Sequence, residues 1–360
     1  MSNVTFVYYD LPRWAKWWKR GNRGVQLYYL LWQWGASQTA RGLNAETPFD
    51  LVHHITFVLF RQPSFMGRLG IPFVFGPIGG GEQTPVGLLS TFPLRARLTE
   101  RLRNLANFFV RFDPILCKSF QQASLIVCTT AETAAKVPIR YRHKCFVCRA
   151  VGVDLERNAA ITLENSSVRK HAHFVFAGRM LCWKGIHLLL AAFAQVHSAE
   201  SDITLTLIGD GSDLNRLQLT AKQLGLDSPE VTWLNRVPQP EVLRMLESSA
   251  ALVFPSLHDS GGFIVLEALT TGTPVICLDL GGPGLLVDEA CGIRVPALDL
   301  SADAVINGLA EAILLIARHP EVRDQMSIAA KRRSLELTWS KLVSDFYENV
   351  SSRVLKQSGR

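Results

Sequence analysis

Long apolar stretches are missing from this 360-residue sequence. The longest runs, His187 to Val196 and Val25 to Ala36, are broken by Gln or Gly and fall short of the roughly 18 residues that span a bilayer. No charged start, apolar middle and small-residue cleavage site opens the chain, so a cytoplasmic location is the expectation. Cysteines are few: seven, an odd number, scattered along the chain. That count fits reduced thiols better than a disulfide framework. Cys145 and Cys148 make a single C-x-x-C inside "KCFVCRAVGVD", which reads as a buried strand; without a second pair they are structural thiols. No low-complexity tract, internal repeat or nucleic-acid-binding module is visible.

What is present is enough apolar residue for a large core. Composition is 48% hydrophobic and 19% charged, and the length favours two domains. The net charge of +7 is unevenly spread. Residues 1–150 carry 19 Lys and Arg against 7 Asp and Glu, and residues 151–360 carry 19 against 24. A basic first half is followed by a mildly acidic second half.

Short apolar runs bounded by turns predict buried parallel strands: "VTFVYYD", "DLVHHITFVLF", "IPFVFGP", "ASLIVCTT" and "CFVCRAVGVD", then "HFVFAG", "ITLTLIGDG", "VTWL", "ALVFPS" and "TPVICL". Helical patterns fall at 24–42, 94–122, 130–137, 184–198, 212–224, 239–249, 263–271 and 302–318. The alternation predicts open α/β sheets. The polar, aperiodic segment 153–173 reads as the linker between a first domain, 1–155, and a second, 170–338, and a last helix over 339–360 follows.

The second half carries the chemistry. "FVFAGRMLCWKG" ends a strand in Gly178 and sets Arg179 and Lys184 beyond it, where ligands of open α/β sheets bind; two cations there can neutralise a diphosphate. "TLIGDG" ends a strand in Gly209, Asp210 and Gly211, and glycine lets backbone approach a ligand closely. "HDSGGFIVLEALTTG" passes through Asp259, Ser260, Gly261 and Gly262 into a helix starting near Phe263, whose first amides lack intrahelical partners and suit a phosphate. Glu267, one turn in, can accept two hydrogen bonds from a ribose diol, and Asp259 faces whatever lies beyond the phosphates. The bland readings are a helix cap for Asp259, a solvated acid for Glu267, and surface cations for Arg179 and Lys184.

In this order the elements "GRMLCWKG", "IGDG", "WLNRV" and "PSLHDSGGFIVLE" resemble the signature of the retaining glycosyltransferases of family 4 over residues 172 to about 345. The resemblance implies the GT-B fold, two Rossmann-like α/β domains facing a cleft, with the last helix crossing back to the first domain. It implies that Arg179 and Lys184 bind the diphosphate, that Glu267 binds the ribose, that Asn235, Arg236 and Val237 line the base pocket, and that the Asp259–Gly262 loop holds the donor sugar and phosphates. The family's first acid is usually Glu. Asp259 has an arm shorter by one C–C bond, about 1.5 Å. The chain holds no Asp-x-Asp, so no metal is expected, and cations with a helix dipole would stabilise the leaving diphosphate.

In the first half, His53 and His54 end a strand, and adjacent strand residues face opposite sides, so one faces the crevice and the other packs inward. Gly79, Gly80, Gly81 and Glu82 follow another strand, and the triple glycine offers bare amides to a phosphate or sugar, or else forms a plain flexible turn. "HHITF" and "GPIGGGE" are similar to a subgroup of the same family, where a histidine touches the donor sugar and the glycine loop faces donor and acceptor. Compared with that subgroup the chain starts about 80 residues late, so the N-terminal domain is expected to be short of a strand and a Gly-rich loop. "LPRWAKWWKRGNRG" and "LRARLTERLRNLANFFVRF" interleave cations with aromatics, as suits an anionic membrane interface or else a merely solvated basic face, rather than nucleic acid. The expectation is a glycosyltransferase, peripheral at the inner face of the cell membrane, moving a sugar from a nucleotide sugar to a lipid-linked or polysaccharide acceptor. The other readings are a nucleotide-sugar binder that has lost activity and a nucleotide-sugar epimerase.

Overall fold

Strands buried on both faces need no alternation of apolar and polar residues, and nine of the ten runs read as continuous apolar segments contribute a strand to a parallel sheet. The computed structural model describes residues 3–19, 21, 23–55, 57, 59–155, 172–226 and 229–355. The described residues form two compact units, one within Met1–Gly81, Ala106–Cys148 and Tyr347–Arg360, the other within Glu82–Leu105 and Arg149–Phe346. Residues 156–171, most of the expected linker, lie outside the described residues.

The first unit holds a four-stranded parallel sheet of β1 (Val52–His54), β2 (Phe73–Ile78), β3 (Leu125–Cys128) and β4 (Cys145–Val147), in that spatial order. Phe73 and Phe75 on β2 are buried against Phe60, Leu116 and Phe120. Helices Val25–Glu46, Pro114–Gln122 and Ala131–Lys136 accompany the sheet. The helix expected over 94–122 is interrupted, because Asp113 accepts hydrogen bonds from the amides of Ile115 (2.9 Å) and Leu116 (3.0 Å) and starts a new helix with Pro114 in its first position. "VTFVYYD" is not a strand. Val4, Phe6, Val7 and Tyr8 stand exposed, and strand propensity is a fit to a half-buried pleated surface that no described strand offers this segment.

The second unit is built on β5 (His173–Ala177), β6 (Thr204–Ile208), β7 (Val231–Leu234), β8 (Ala251–Phe254), β9 (Val275–Leu278) and β10 (Gly292–Val295). Their order is β10-β9-β8-β5-β6-β7, all parallel. This is the doubly wound order, and it reverses between β5 and β8, so the crevice beyond their carboxyl ends is where ligands of such sheets sit. Phe174, Phe176, Phe193 and Phe254 are fully buried here, with Phe176 and Phe254 stacked at 5.9 Å. Strand β10 and the helix Pro320–Glu336 had no counterpart in the sequence reading. The helix Trp339–Val350 begins where the Trp339 amide donates to Val153 (3.2 Å), and its residues from Tyr347 onward belong to the first unit. Among the described residues, no helix is long and apolar enough to cross a membrane. The two α/β sheets are those of the GT-B fold.

Candidate functional site

The turns leaving β5 and β6 are stitched together by backbone. Gly178 donates to Ile208 (2.9 Å), Met180 to Asp210 (2.9 Å), Asp213 to Met180 (3.1 Å), and Gly209 to Leu234 (2.9 Å). This closeness requires glycine. Gly209 has φ +137°, and a Cβ there would lie 1.9 Å from the Gly178 carbonyl oxygen. Asp210 turns its carboxylate back onto the Gly211 amide at 2.6 Å.

Beyond β8 the chain folds over Trp183, whose carbonyl accepts from the Leu257 amide (2.8 Å), and runs through Asp259–Gly262 into the helix Phe263–Thr270. Gly262 caps that helix with φ +69°, and no side chain bonds its first turn. The Asp259 Oδ1 accepts from the amides of Gly261 (3.2 Å) and Gly262 (3.3 Å), and its backbone carbonyl accepts from Gly282 (2.6 Å). The two loop amides expected to be open to a phosphate are therefore occupied by Asp259, and it is the helix start at Phe263 and Ile264 that faces the cleft.

That cleft, of about 630 Å³, is lined by Arg179, Gly209, Asp210, Arg236, Phe263 and Glu267, among others. Val237 and Gln239 also border it. Glu267 accepts a hydrogen bond from the Gln239 side chain, which fixes one carboxylate oxygen toward the cleft wall. Asn235, although beside Arg236, is exposed and does not line the cleft. Among the described residues Arg179 makes no ion pair, so its guanidinium is the cation this cleft presents from the β5 turn.

Lys184 lies elsewhere. Its ammonium pairs with Asp259, both largely buried, and packs over the Phe254 ring at 4.8 Å. Burial alone would raise the Asp259 pKa, but Lys184 and the two glycine amides outweigh it and hold the carboxyl below its ordinary range. Lys184 thus holds Asp259, whose carboxylate in turn sets the shape of the loop. A double-mutant cycle of Lys184→Met and Asp259→Asn is expected to show a coupling of about 1–3 kcal/mol in chemical denaturation; additive losses would mean that the two side chains do not hold one another.

Two residues of this assembly were not anticipated. His258 stacks on Trp183 (5.5 Å) and hydrogen-bonds through Nε2 to Glu100 (3.1 Å), a buried carboxylate that Arg103 also pairs at 3.2 Å. Successive residues Trp183 and Lys184 therefore grip successive residues His258 and Asp259. Glu100 comes from a distant point in the sequence, so no local spacing announces the pair.

In the first unit, His53 donates from Nε2 to the Gly76 carbonyl (2.8 Å), leaving Nδ1 to accept from the Tyr347 hydroxyl (3.0 Å). His54 points the other way, stacked on Phe75 (5.9 Å) and buried, so it is a core residue. The glycine loop is packed rather than bare. The Gly81 amide donates to Thr133 Oγ1 (3.1 Å), the Gly79 carbonyl accepts from Phe60 (2.9 Å), and a Cβ on Gly81 would lie 2.5 Å from Thr133 Cα. Glu82, the first residue of the second unit, is buried, and its carbonyl accepts from Arg103 at 2.6 Å.

Residues 163–333 match the family model described as "Glycosyl transferases group 1". The chain is 26% identical over 176 residues to a glycogen synthase of Mycobacterium tuberculosis, covering 49% of this chain and 39% of that protein. It thus spans about two fifths of the length of that relative. It is 23% identical over 320 residues to an alpha-maltose-1-phosphate synthase of the same organism, covering 83% of this chain and 76% of that one. Among solved structures it is similar to Anabaena Alr3699/HepE in complex with UDP, with a TM-score of 0.56 and 17% identity over 88% of this chain and 82% of that one.

Proposed function

We propose that the protein is a retaining glycosyltransferase of family 4 type. It moves a sugar from a nucleoside-diphosphate donor to a hydroxyl of a lipid-linked or polysaccharide acceptor at the inner face of the cell membrane. The observation that carries this reading is the convergence of Arg179, the two glycine strand ends, the helix start at Phe263 and Glu267 on one cleft. A forked cation, a helix N-terminus and a carboxylate are the groups that a diphosphate and a ribose diol need in one place. The family match and the UDP-bound Anabaena neighbour support the same reading.

In this scheme Arg179 forks onto the diphosphate, and the helix dipole at Phe263 stabilises the negative charge that grows as the sugar leaves. Glu267 accepts the ribose hydroxyls, and Arg236 and Val237 border the base. Asp259, shaped by Lys184, orients the sugar end of the loop. The leaving phosphate takes the proton of the attacking hydroxyl, so no protein base or metal is needed. Exposed Trp14 and Trp17 beside Arg13 and Lys16 hold the first unit against the bilayer.

Calorimetry with UDP, GDP and ADP tests the donor site. At least one is expected to bind, and Arg179→Ala is expected to weaken it about 10- to 100-fold, the value of one charge-assisted forked contact. Unchanged affinity in that variant would remove the diphosphate assignment. Transfer of label from a radiolabelled nucleotide sugar onto lipid extract then separates an enzyme from a protein that only binds the donor.

A further inference from the structure

A second charged cavity lies in the first unit and shares no lining residue with the cleft described above. Its volume is about 410 Å³, and Arg111, Lys136, Arg140 and Arg142 contribute four of its seven lining residues, none of which is acidic. The three guanidiniums around this pocket, Arg111, Arg140 and Arg142, repel one another, and a bound anion relieves that repulsion.

The scaffold holds these cations in place. Arg142 donates Nε to the Val137 carbonyl (2.9 Å) and bonds the Ala135 carbonyl, so it closes the end of the helix Ala131–Lys136. Arg111 lies flat on the Phe108 ring (4.1 Å) and donates Nε to the Phe108 carbonyl (3.2 Å). Arg140 stacks on Tyr141 at 4.8 Å. Guanidiniums held over aromatic rings can use their remaining N–H groups for contacts with phosphate oxygens.

The surroundings identify the source of the anion. Ile139 lines the pocket and is 81% exposed, and Phe109, Phe112 and Ile115 nearby in sequence to Arg111 are also exposed. A soluble phosphate gains nothing from exposed Ile and Phe, whereas a bilayer takes up both the charge and the apolar rim. We infer that this pocket seats the phosphate of an anionic lipid headgroup, with Ile139 at its rim entering the interface and the exposed phenylalanines flanking Arg111 in sequence adding apolar surface. The inference rests on the peripheral-membrane part of the proposed function and does not depend on the donor site.

Sedimentation with vesicles of 3:1 phosphatidylcholine and phosphatidylglycerol, and with pure phosphatidylcholine, tests it. The wild-type chain is expected to favour the anionic vesicles. Arg111→Ala with Arg140→Ala is expected to lower partitioning about 30-fold, from roughly fivefold per cation at an anionic surface. Ile139→Asp is expected to lower it with all four cations kept. Circular dichroism and UDP affinity check that each variant is folded, and Arg140→Lys restores part of the binding if charge is what matters. If the wild type ignores both vesicles, the membrane reading itself fails. If it binds and the double variant binds equally well, membrane contact lies elsewhere and the pocket assignment is overturned. Saturable calorimetric binding of inorganic phosphate at this pocket without vesicle preference would also overturn the lipid assignment.

Discussion

Gly209→Ala is expected to cost about 3–5 kcal/mol and to abolish nucleoside-diphosphate binding together. At φ +137° an L-residue is strained wherever it stands, and here the added Cβ would also meet a backbone oxygen, Gly178 O, at 1.9 Å. No rotamer change relieves a clash with backbone. The β5 and β6 turns would have to separate, which breaks the bonds from Gly178 to Ile208 and from Met180 to Asp210 and displaces Arg179 from the cleft. Gly225→Ala provides the comparison. That glycine also has positive φ, +74°, but nothing lies within 4 Å of its Cβ, so the cost is about 1 kcal/mol, the left-handed strain alone. Urea denaturation with UDP titration of both variants decides it. Equal losses would show that the strand ends can part without harm and that their closeness does not build the cleft.

The same pair of turns shows how far the sequence could be read. Gly178, Arg179, Gly209 and Glu267 meet because each sits at the carboxyl end of a strand or the start of a helix, and the chain announces those ends locally with glycines and apolar runs. Contacts made by one side chain across a long sequence gap were not legible. Lys184 reads as a ligand-facing cation, but burial makes a carboxylate partner more favourable, and Asp259, 75 residues on, supplies it. Glu100 and His258 meet across 158 residues with no spacing to reveal them. Free amides inferred from glycine-rich stretches proved the least safe reading, because buried amides find acceptors: Asp259 for Gly261 and Gly262, Thr133 for Gly81. Strand β10 escaped because "GIRV" is short and opens on Gly292, where a Cβ would lie 2.1 Å from the Val275 carbonyl. Close strand packing, not residue preference, places it.

Acid should destabilise both units through buried neutral histidines. His54 in the first unit and His187 in the second are 7% and 9% exposed, and burial pulls each down to about 4 from an ordinary 6.5. The hydrogen-bond pattern fits neutral rings. His187 donates from Nε2 to Thr91, whose own hydroxyl donates to Leu88 (2.7 Å), and the Nδ1 atoms of both histidines are buried without a partner. An unfolded chain binds protons at these sites from pH 6.5 downward and the folded chain only near 4, so stability is full above 6.5 and falls with pH between the two. Each histidine accounts for about 3 kcal/mol when the pH reaches 4. The depressed carboxyls of Asp259 and Glu100 act in the opposite chemical sense and a lower window: their stabilisation is present above the ordinary carboxyl range and is lost only as pH falls through their lowered folded values. The loss between pH 6.5 and 4 therefore belongs mainly to the histidines. Denaturation at pH 7.5, 5.5 and 4.5 is expected to show it, with His54→Phe and His187→Gln each flattening the profile because Phe keeps the ring stack on Phe75 and Gln keeps the donor to Thr91. A steep profile that survives both substitutions would place the acid sensitivity in other groups and would mean that these rings are protonated in the folded protein.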